Sequence, residues 1–158
     1  MSYLLRDEIP RLVLDANIMV SALLGASFGF LLLLFESGIH MMAPVQQLAE
    51  VRKTLGSRNL DDAAIEARME ELHTVVEPLH PDIFTKHEEW ARLRLDERGQ
   101  PDWPVLAASL ATEASIWSHD KDFFGSGTPV WSTFMLRRQV TNASLSSSAK
   151  GMSVERKL

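Results

Sequence analysis

The sequence predicts an α/β fold in which helices flank a parallel sheet. Three observations predict it. Short apolar runs alternate along the chain with stretches of helical periodicity, the pattern of strand–helix–strand units. Two of those runs stop abruptly on an acid: Asp15 after Leu12-Val13-Leu14, and Asp120 after Ile116-Trp117-Ser118-His119. The length of 158 residues and the 46% hydrophobic content suit one globular domain with a sizeable core.

Each element follows from local pattern. Residues 12–14 read as a buried strand from their branched apolar run. Residues 17–24 continue as loop and short helix, broken at 25–29 by Gly25 and Gly29. A helix over 30–36 is stopped by Ser37 and Gly38, and 39–43 is a second strand. Pro44 suits a first helical position for a helix over 45–55, whose stripe is Val45, Leu48, Val51 and Leu55 and whose end is Gly56. Asp61 and Asp62 cap a helix running to His73, with Ala64, Ile65, Met69 and Leu72 on one face. Residues 74–78 form a third strand, and 84–98 a charged amphipathic helix ending at Gly99. After Pro101 to Pro104 comes an alanine-rich helix over 105–113, then strands over 115–118 and 129–132, then a last helix over 133–140. From 141 onward the chain turns to Ser, Ala and Lys with little to bury, so the expected organisation is a domain over 1–140 and a disordered tail over 141–158. The order of the strands is not readable from this pattern.

Composition excludes several classes of chemistry. There is no cysteine, so disulfides and thiolate zinc sites are ruled out, and any metal is held by oxygen or imidazole. The net charge is −5, and the end of the chain, with Lys150, Arg156 and Lys157 against Glu155, leaves the body more acidic still. A phosphate-binding surface must then be local or depend on bound cations. The longest apolar run, residues 28–35, is too short to span a bilayer, and Arg6, Asp7 and Glu8 do not resemble a secretory signal. The expected location is the cytoplasm.

A carboxylate at the carboxyl end of a parallel strand packs poorly and meets ligands well, because open α/β sheets bind at that edge. Each of Asp15 and Asp120 is also explained as a helix cap. Asp102 precedes the alanine-rich helix, where an N-cap is the ordinary reading, yet a helix starting at that edge would aim its carboxylate at the same space. Glu50 lies between Leu48 and Val51 at the margin of an apolar stripe, and a solvated surface position is its alternative. Asn17 and Asp122 each follow a strand-ending acid by two residues. Like charges gathered in one place repel and need protonation or a cation. Three or four converging carboxylates make a hard-oxygen site, suited to Mg²⁺ or Mn²⁺ rather than Zn²⁺. Ser21, Ser118 and Thr133 show no histidine–acid partnership, so no protein nucleophile is evident.

Other residues attract readings. Histidines 40, 73, 80, 87 and 119 lack ligand spacing, and backbone orientation is the favoured role of His119. Trp103 suits either stacking on a single-stranded RNA base or packing over its own helix, the commoner case. Arg52, Lys53 and Lys121 lie near the proposed acids and are candidates for holding phosphates.

Four segments together carry a resemblance. Leu14-Asp15-Ala16-Asn17-Ile18, Ala43-Pro44-Val45 through Glu50-Val51, Asp102-Trp103-Pro104-Val105, and Ile116-Trp117-Ser118-His119-Asp120-Lys121-Asp122-Phe123 resemble the four acidic motifs of PIN (PilT N-terminus-like) domains, in that family's order. The wording of the last two is most similar to a prokaryotic nuclease branch related to VapC-type toxins, and the likeness covers roughly residues 12–132. It implies a three-layer α/β/α sandwich with a central parallel sheet. It also implies that Asp15, Glu50, Asp102 and Asp120 are catalytic metal-site carboxylates, with Asp122 a further metal-site candidate and Asn17 helping to orient the site. Relatives in this branch often carry another acid just ahead of the Asp-Trp-Pro motif. This chain has Gly99-Gln100-Pro101 there, with Asp96 or Glu97 as distant substitutes.

The expected activity is that of a Mg²⁺- or Mn²⁺-dependent endoribonuclease hydrolysing RNA phosphodiester bonds, the toxin of a type II toxin–antitoxin system. The resemblance implies an antitoxin protein partner and a homodimer, for which residues 28–35 are a candidate contact surface and ordinary core helix the alternative. One rival is a catalytically weak or inactive PIN-like binding or scaffold domain. Another is a receiver-like α/β domain, which would want a late lysine and a nucleophilic aspartate that this chain does not clearly supply.

Overall fold

The structure, a computed structural model, describes Ile9 and residues 11–155, without the side chains of residues 146, 147 and 149–155. Its strands are β1 (Arg11–Leu14), β2 (His40–Pro44), β3 (Val76–Leu79), β4 (Ser115–Trp117) and β5 (Val130–Trp131). They form one five-stranded sheet in the order β3-β2-β1-β4-β5, with every pairing parallel.

The helices are α1 (Ala16–Leu24), α2 (Phe28–Glu36), α3 (Val45–Ser57), α4 (Asp62–His73), α5 (Pro81–Phe84), α6 (Glu88–Arg94), α7 (Trp103–Thr112) and α8 (Thr133–Glu155). Alternation along the strands sorts them into two layers. Leu12, Leu14, Met41, Ala43 and Trp117 face a core completed by α1, α2, α3, α4 and the start of α8. Val13, Met42 and Ile116 face a second core made with Phe84, Ala91, Leu95 and the buried face of α7. The result is the three-layer α/β/α sandwich expected from the sequence.

Handedness accounts for which helices lie where. From β1 to β3 the sheet grows one way and the connecting helices lie on one face; the long connection to β4 reverses direction and crosses by the other face. Right-handed crossovers require that exchange of faces. The reversal leaves a crevice between the carboxyl ends of β1 and β4, the kind of switch point where such sheets bind ligands. Wholly buried side chains such as Leu12 and Leu14 contribute about 1.5–3 kcal/mol each to holding the strands there.

Two expectations differ from the structure. The single helix expected over 84–98 is instead α5, a 3-10 turn at Thr85–His87, and α6, with Leu95 already extended. The Gln100 side-chain amide folds back to donate to the carbonyls of Arg92 (2.6 Å) and Leu95 (2.8 Å), which stops the helix. The last helix, expected to end at Val140, runs on to Glu155. Its buried anchors, Leu136 and Val140, are all within the expected span. Residues 156–158 of the expected tail lie outside the described residues.

Among the described residues, no single helix is long and apolar enough to cross a membrane. α1 and α2 together have the length and composition but are bent by 112°, and they bury Ile18, Met19, Leu23, Leu31 and Leu34 in the core. On α2, Leu32 and Phe35 remain exposed.

Candidate functional site

β1 and β4 pair with Leu14 opposite Trp117, so both strands end at one level and Asp15 and Ser118 emerge side by side. The Asp15 amide donates to the Trp117 carbonyl at 3.3 Å. Asp15 is buried, and both its oxygens are engaged. Oδ1 accepts the Ile18 N–H at 3.0 Å, capping α1, and Oδ2 accepts the hydroxyl of Ser118. The same Ser118 oxygen accepts the Asp120 N–H at 2.9 Å, and Asp120 Oδ1 in turn accepts the Asp122 N–H at 2.9 Å. Ser118 therefore ties the acid after β1 to the loop after β4.

The capping reading of these aspartates is thus correct as far as it goes. Asp15 caps α1, and Asp120 caps the 3-10 turn Lys121–Phe123. Asp102 is different. It closes the 3-10 turn Gln100–Asp102 ahead of α7, and its side chain makes no capping hydrogen bond. With Pro104 in the first turn of α7 there is one fewer N–H to cap. The carboxyl of Asp102 instead approaches Asp120, with a carboxylate oxygen of each within 4.8 Å of the other.

Carboxylate oxygens of Asp102, Asp120 and Asp122 all lie within 4.8 Å of one another, and all three residues are half-buried. Electrostatics show what this proximity costs. Burial, followed by the charges of Asp120, Asp15 and Glu50, pushes the Asp102 carboxyl up from 3.8 to about 6. Burial is the main cause raising Asp15, against the lowering effect of its hydrogen bonds from Ser118 and Ile18. Asp122 is raised by desolvation and then by Asp120 and Asp96, with Arg98 opposing. These acids crowd one another at a location where neutralisation is favourable.

The structure brings Asp102, Asp120 and Asp122 into one cluster and sets Asp15 beside it. Glu50, exposed on α3, stands outside the tight group but is near enough to raise Asp102. Asn17 is exposed on α1 and makes no side-chain hydrogen bond among the described residues. Asp96 sits next to Asp122 electrostatically, and its Oδ1 accepts the Gly99 N–H at 2.8 Å. Gly99 allows this close approach: a Cβ there would stand 3.0 Å from that of Asp122. The donor set is entirely carboxylate, close-spaced and partly desolvated, which fits a hard divalent cation held by Asp102, Asp120 and Asp122.

Two positioning residues were missed in the sequence. Ser118 is no nucleophile candidate but a hydrogen-bonding hub, which no local pattern in the sequence announces. Gln47 is buried, and its Oε1 accepts the Ala16 N–H at 2.8 Å, fixing α3 against the start of α1. A glutamine inside an apolar stripe is its only local signal. His119 is oriented by a side chain rather than by backbone: the Trp117 indole N–H donates to Thr133 Oγ1 at 3.0 Å, and that hydroxyl lies 3.0 Å from His119 Nε2. Trp103 packs rather than stacks free, 5.9 Å from the Phe84 ring and beneath the Arg92 guanidinium.

Comparison with known proteins agrees with this geometry. No curated protein matches the chain. Among solved structures, a chain of VapBC2 from Rickettsia felis, a complex bound to a DNA fragment from its promoter, superposes with a TM-score of 0.63 at 16% identity, covering 77% of this chain and 98% of that one. That likeness is one of fold. The family model described as PIN domain matches residues 13–141, nearly the whole sheet and both helical layers. The chain belongs to the PIN domain family.

Proposed function

We propose that this protein is a divalent-metal-dependent endoribonuclease that hydrolyses RNA phosphodiester bonds, using Mg²⁺ or Mn²⁺, and that it acts in the cytoplasm as the toxin of a type II toxin–antitoxin pair. The carboxylate cluster of Asp102, Asp120 and Asp122 at the switch-point crevice, with Asp15 buried against it, carries this reading. Membership of the PIN family, in which many members are nucleases, supports it. The fold shared with a chain of a VapBC2 complex motivates the partners: a small antitoxin protein and a second copy of this chain.

A divalent cation, when bound, lowers the pKa of a water and offsets phosphate charge. The residues do the rest. Asp102, Asp120 and Asp122 supply the oxygen ligands, and burial followed by the neighbouring charges makes the Asp102 and Asp122 carboxyls harder to ionise without a cation. Asp15 adds negative charge from beneath while Ser118 holds its orientation and, through the Asp120 amide, that of the neighbouring loop. Glu50 closes the α3 side. No side chain is required as nucleophile.

The direct test compares Asp15→Asn and Asp120→Asn with the parent protein in Mg²⁺-dependent cleavage of single-stranded RNA, with circular dichroism as the check on folding. Both should lose cleavage while remaining folded; unchanged cleavage in both sinks the mechanism. A second reading, a PIN-like scaffold without useful activity, draws on Gly99-Gln100-Pro101, which brings no carboxylate to the cluster. It requires that the unaltered protein cleave no RNA in either metal.

A further inference from the structure

Beside the acids, on the outer face of α3, lies a hollow of about 490 Å³ lined by Glu50, Lys53, Thr54 and Ser57. These residues recur at helical spacing, so the hollow begins at Glu50 and runs along the helix away from the carboxyl edge of the sheet. Glu50 is also the residue of α3 whose charge reaches Asp102. Glu50 lies one turn along α3 from Gln47, whose side chain accepts the Ala16 N–H next to Asp15, so the Glu50 end of the hollow is the end toward the acids.

Its cation is available. Arg52, the neighbouring base, is tied to Glu66 of α4, whereas Lys53 takes part in none of the ion pairs among the described residues. The Ser57 hydroxyl donates to the Thr54 carbonyl at 2.8 Å and keeps its lone pairs for a further donor. A larger hollow of about 600 Å³ lies on the other side, by Gln100, where Arg92 is already paired with Glu88 and Glu89 adds a second carboxylate. The α3 hollow sets an ammonium outside these ion pairs beside Glu50, whose charge reaches Asp102.

We propose that this hollow is a backbone-phosphate subsite of the RNA substrate, in which Lys53 and Thr54 hold the phosphate next to the one being cleaved. The proposal rests on the nuclease reading above. A net acidic protein gains little from long-range attraction of RNA, so a local ammonium one helical turn from Glu50 has to fix the register of the strand. Phosphate contacts of this kind position without reading sequence.

The test measures binding of a fluorescein-labelled single-stranded RNA dodecamer by anisotropy over a series of salt concentrations, with Ca²⁺ replacing Mg²⁺ to hold off hydrolysis. For Lys53→Gln the affinity should fall roughly threefold. The slope of log affinity against log salt should drop by about 0.7, the loss of one phosphate contact on a single strand. Lys53→Arg should restore both. Equal affinity and equal slope in Lys53→Gln and the parent overturn the subsite while leaving the RNA reading intact. Absence of RNA binding by the parent protein overturns both. A loss of affinity with unchanged slope also overturns the phosphate contact, because it shows Lys53 acting through structure rather than through charge.

Discussion

Replacing Asp102 with asparagine should stabilise the metal-free protein at the same time as it removes activity. The folded carboxyl titrates at about 6 against an ordinary 3.8, chiefly from burial and then from Asp120, Asp15 and Glu50. Because the folded value is the higher one, ionising this group costs stability. The cost is absent below 3.8, grows as pH rises through the interval up to about 6, and is complete above it. At full weight it corresponds to ~3 kcal/mol. The side chain is only half-buried, so solvent screening reduces the figure to on the order of 1 kcal/mol. Asparagine keeps the shape and carries no charge. Asp102→Asn should therefore melt about 2–4 °C above the parent at neutral pH in EDTA. The gap should close in acid, and Mg²⁺ should raise the melting temperature of the parent more than that of the variant. Thermal unfolding followed by circular dichroism across the pH range, with and without Mg²⁺, reads all three effects. A variant less stable than the parent at neutral pH without metal would refute the reasoning, because the carboxylate would then be making favourable contacts rather than suffering repulsion.

Three further outcomes follow from the packing around the acids. Ser118→Ala leaves Asp15 Oδ2 buried without its donor and the Asp120 N–H without its acceptor, and should cost about 1–3 kcal/mol in urea unfolding; a loss within error removes Ser118 from its place as hub. Gln47→Ala strands the Ala16 N–H and should cost a similar ~1–3 kcal/mol, with faster hydrogen exchange at that amide as the specific sign. Gly127 has φ +87°, and a Cβ there would collide with the guanidinium of Arg94, which also donates to the Ser126 carbonyl at 2.8 Å. Gly127→Ala should thus cost at least about 1 kcal/mol, and pairing it with Arg94→Ala should give less than the sum of the two single losses, since the collision is then gone.

Much of the site is legible because its signals are local. An apolar run that ends on an acid marks both Asp15 and Asp120, and the in–out alternation of Leu12, Val13 and Leu14 already implies layers on both faces. What stayed hidden depends on contacts between distant segments. Nothing local shows whether Asp102 caps α7 or turns away from it; the answer lies in Asp120, which arrives on the strand that follows. The break in the 84–98 segment comes from an amide that Gln100 folds back onto carbonyls already passed. Gln47 looks like half of a polar pair until α1 packs on α3 and buries it. The strand order required knowing which face each crossover takes, and the length of α8 beyond Val140 has no apolar stripe to announce it.

The hydrogen bond between Ser118 and Asp15 joins residues 103 apart, and this has a consequence for how the protein comes into being. At about 5–20 residues per second, synthesis separates the two by roughly 5–20 s. During that interval a nascent chain holds Asp15 and Glu50 without Asp102, Asp120 or Asp122, and β1 lacks its neighbour β4. No cation cage can close on a polypeptide at that stage. The three clustered acids come together only once β4 and the turn after it have left the ribosome, however early the segments from β1 to β3 fold.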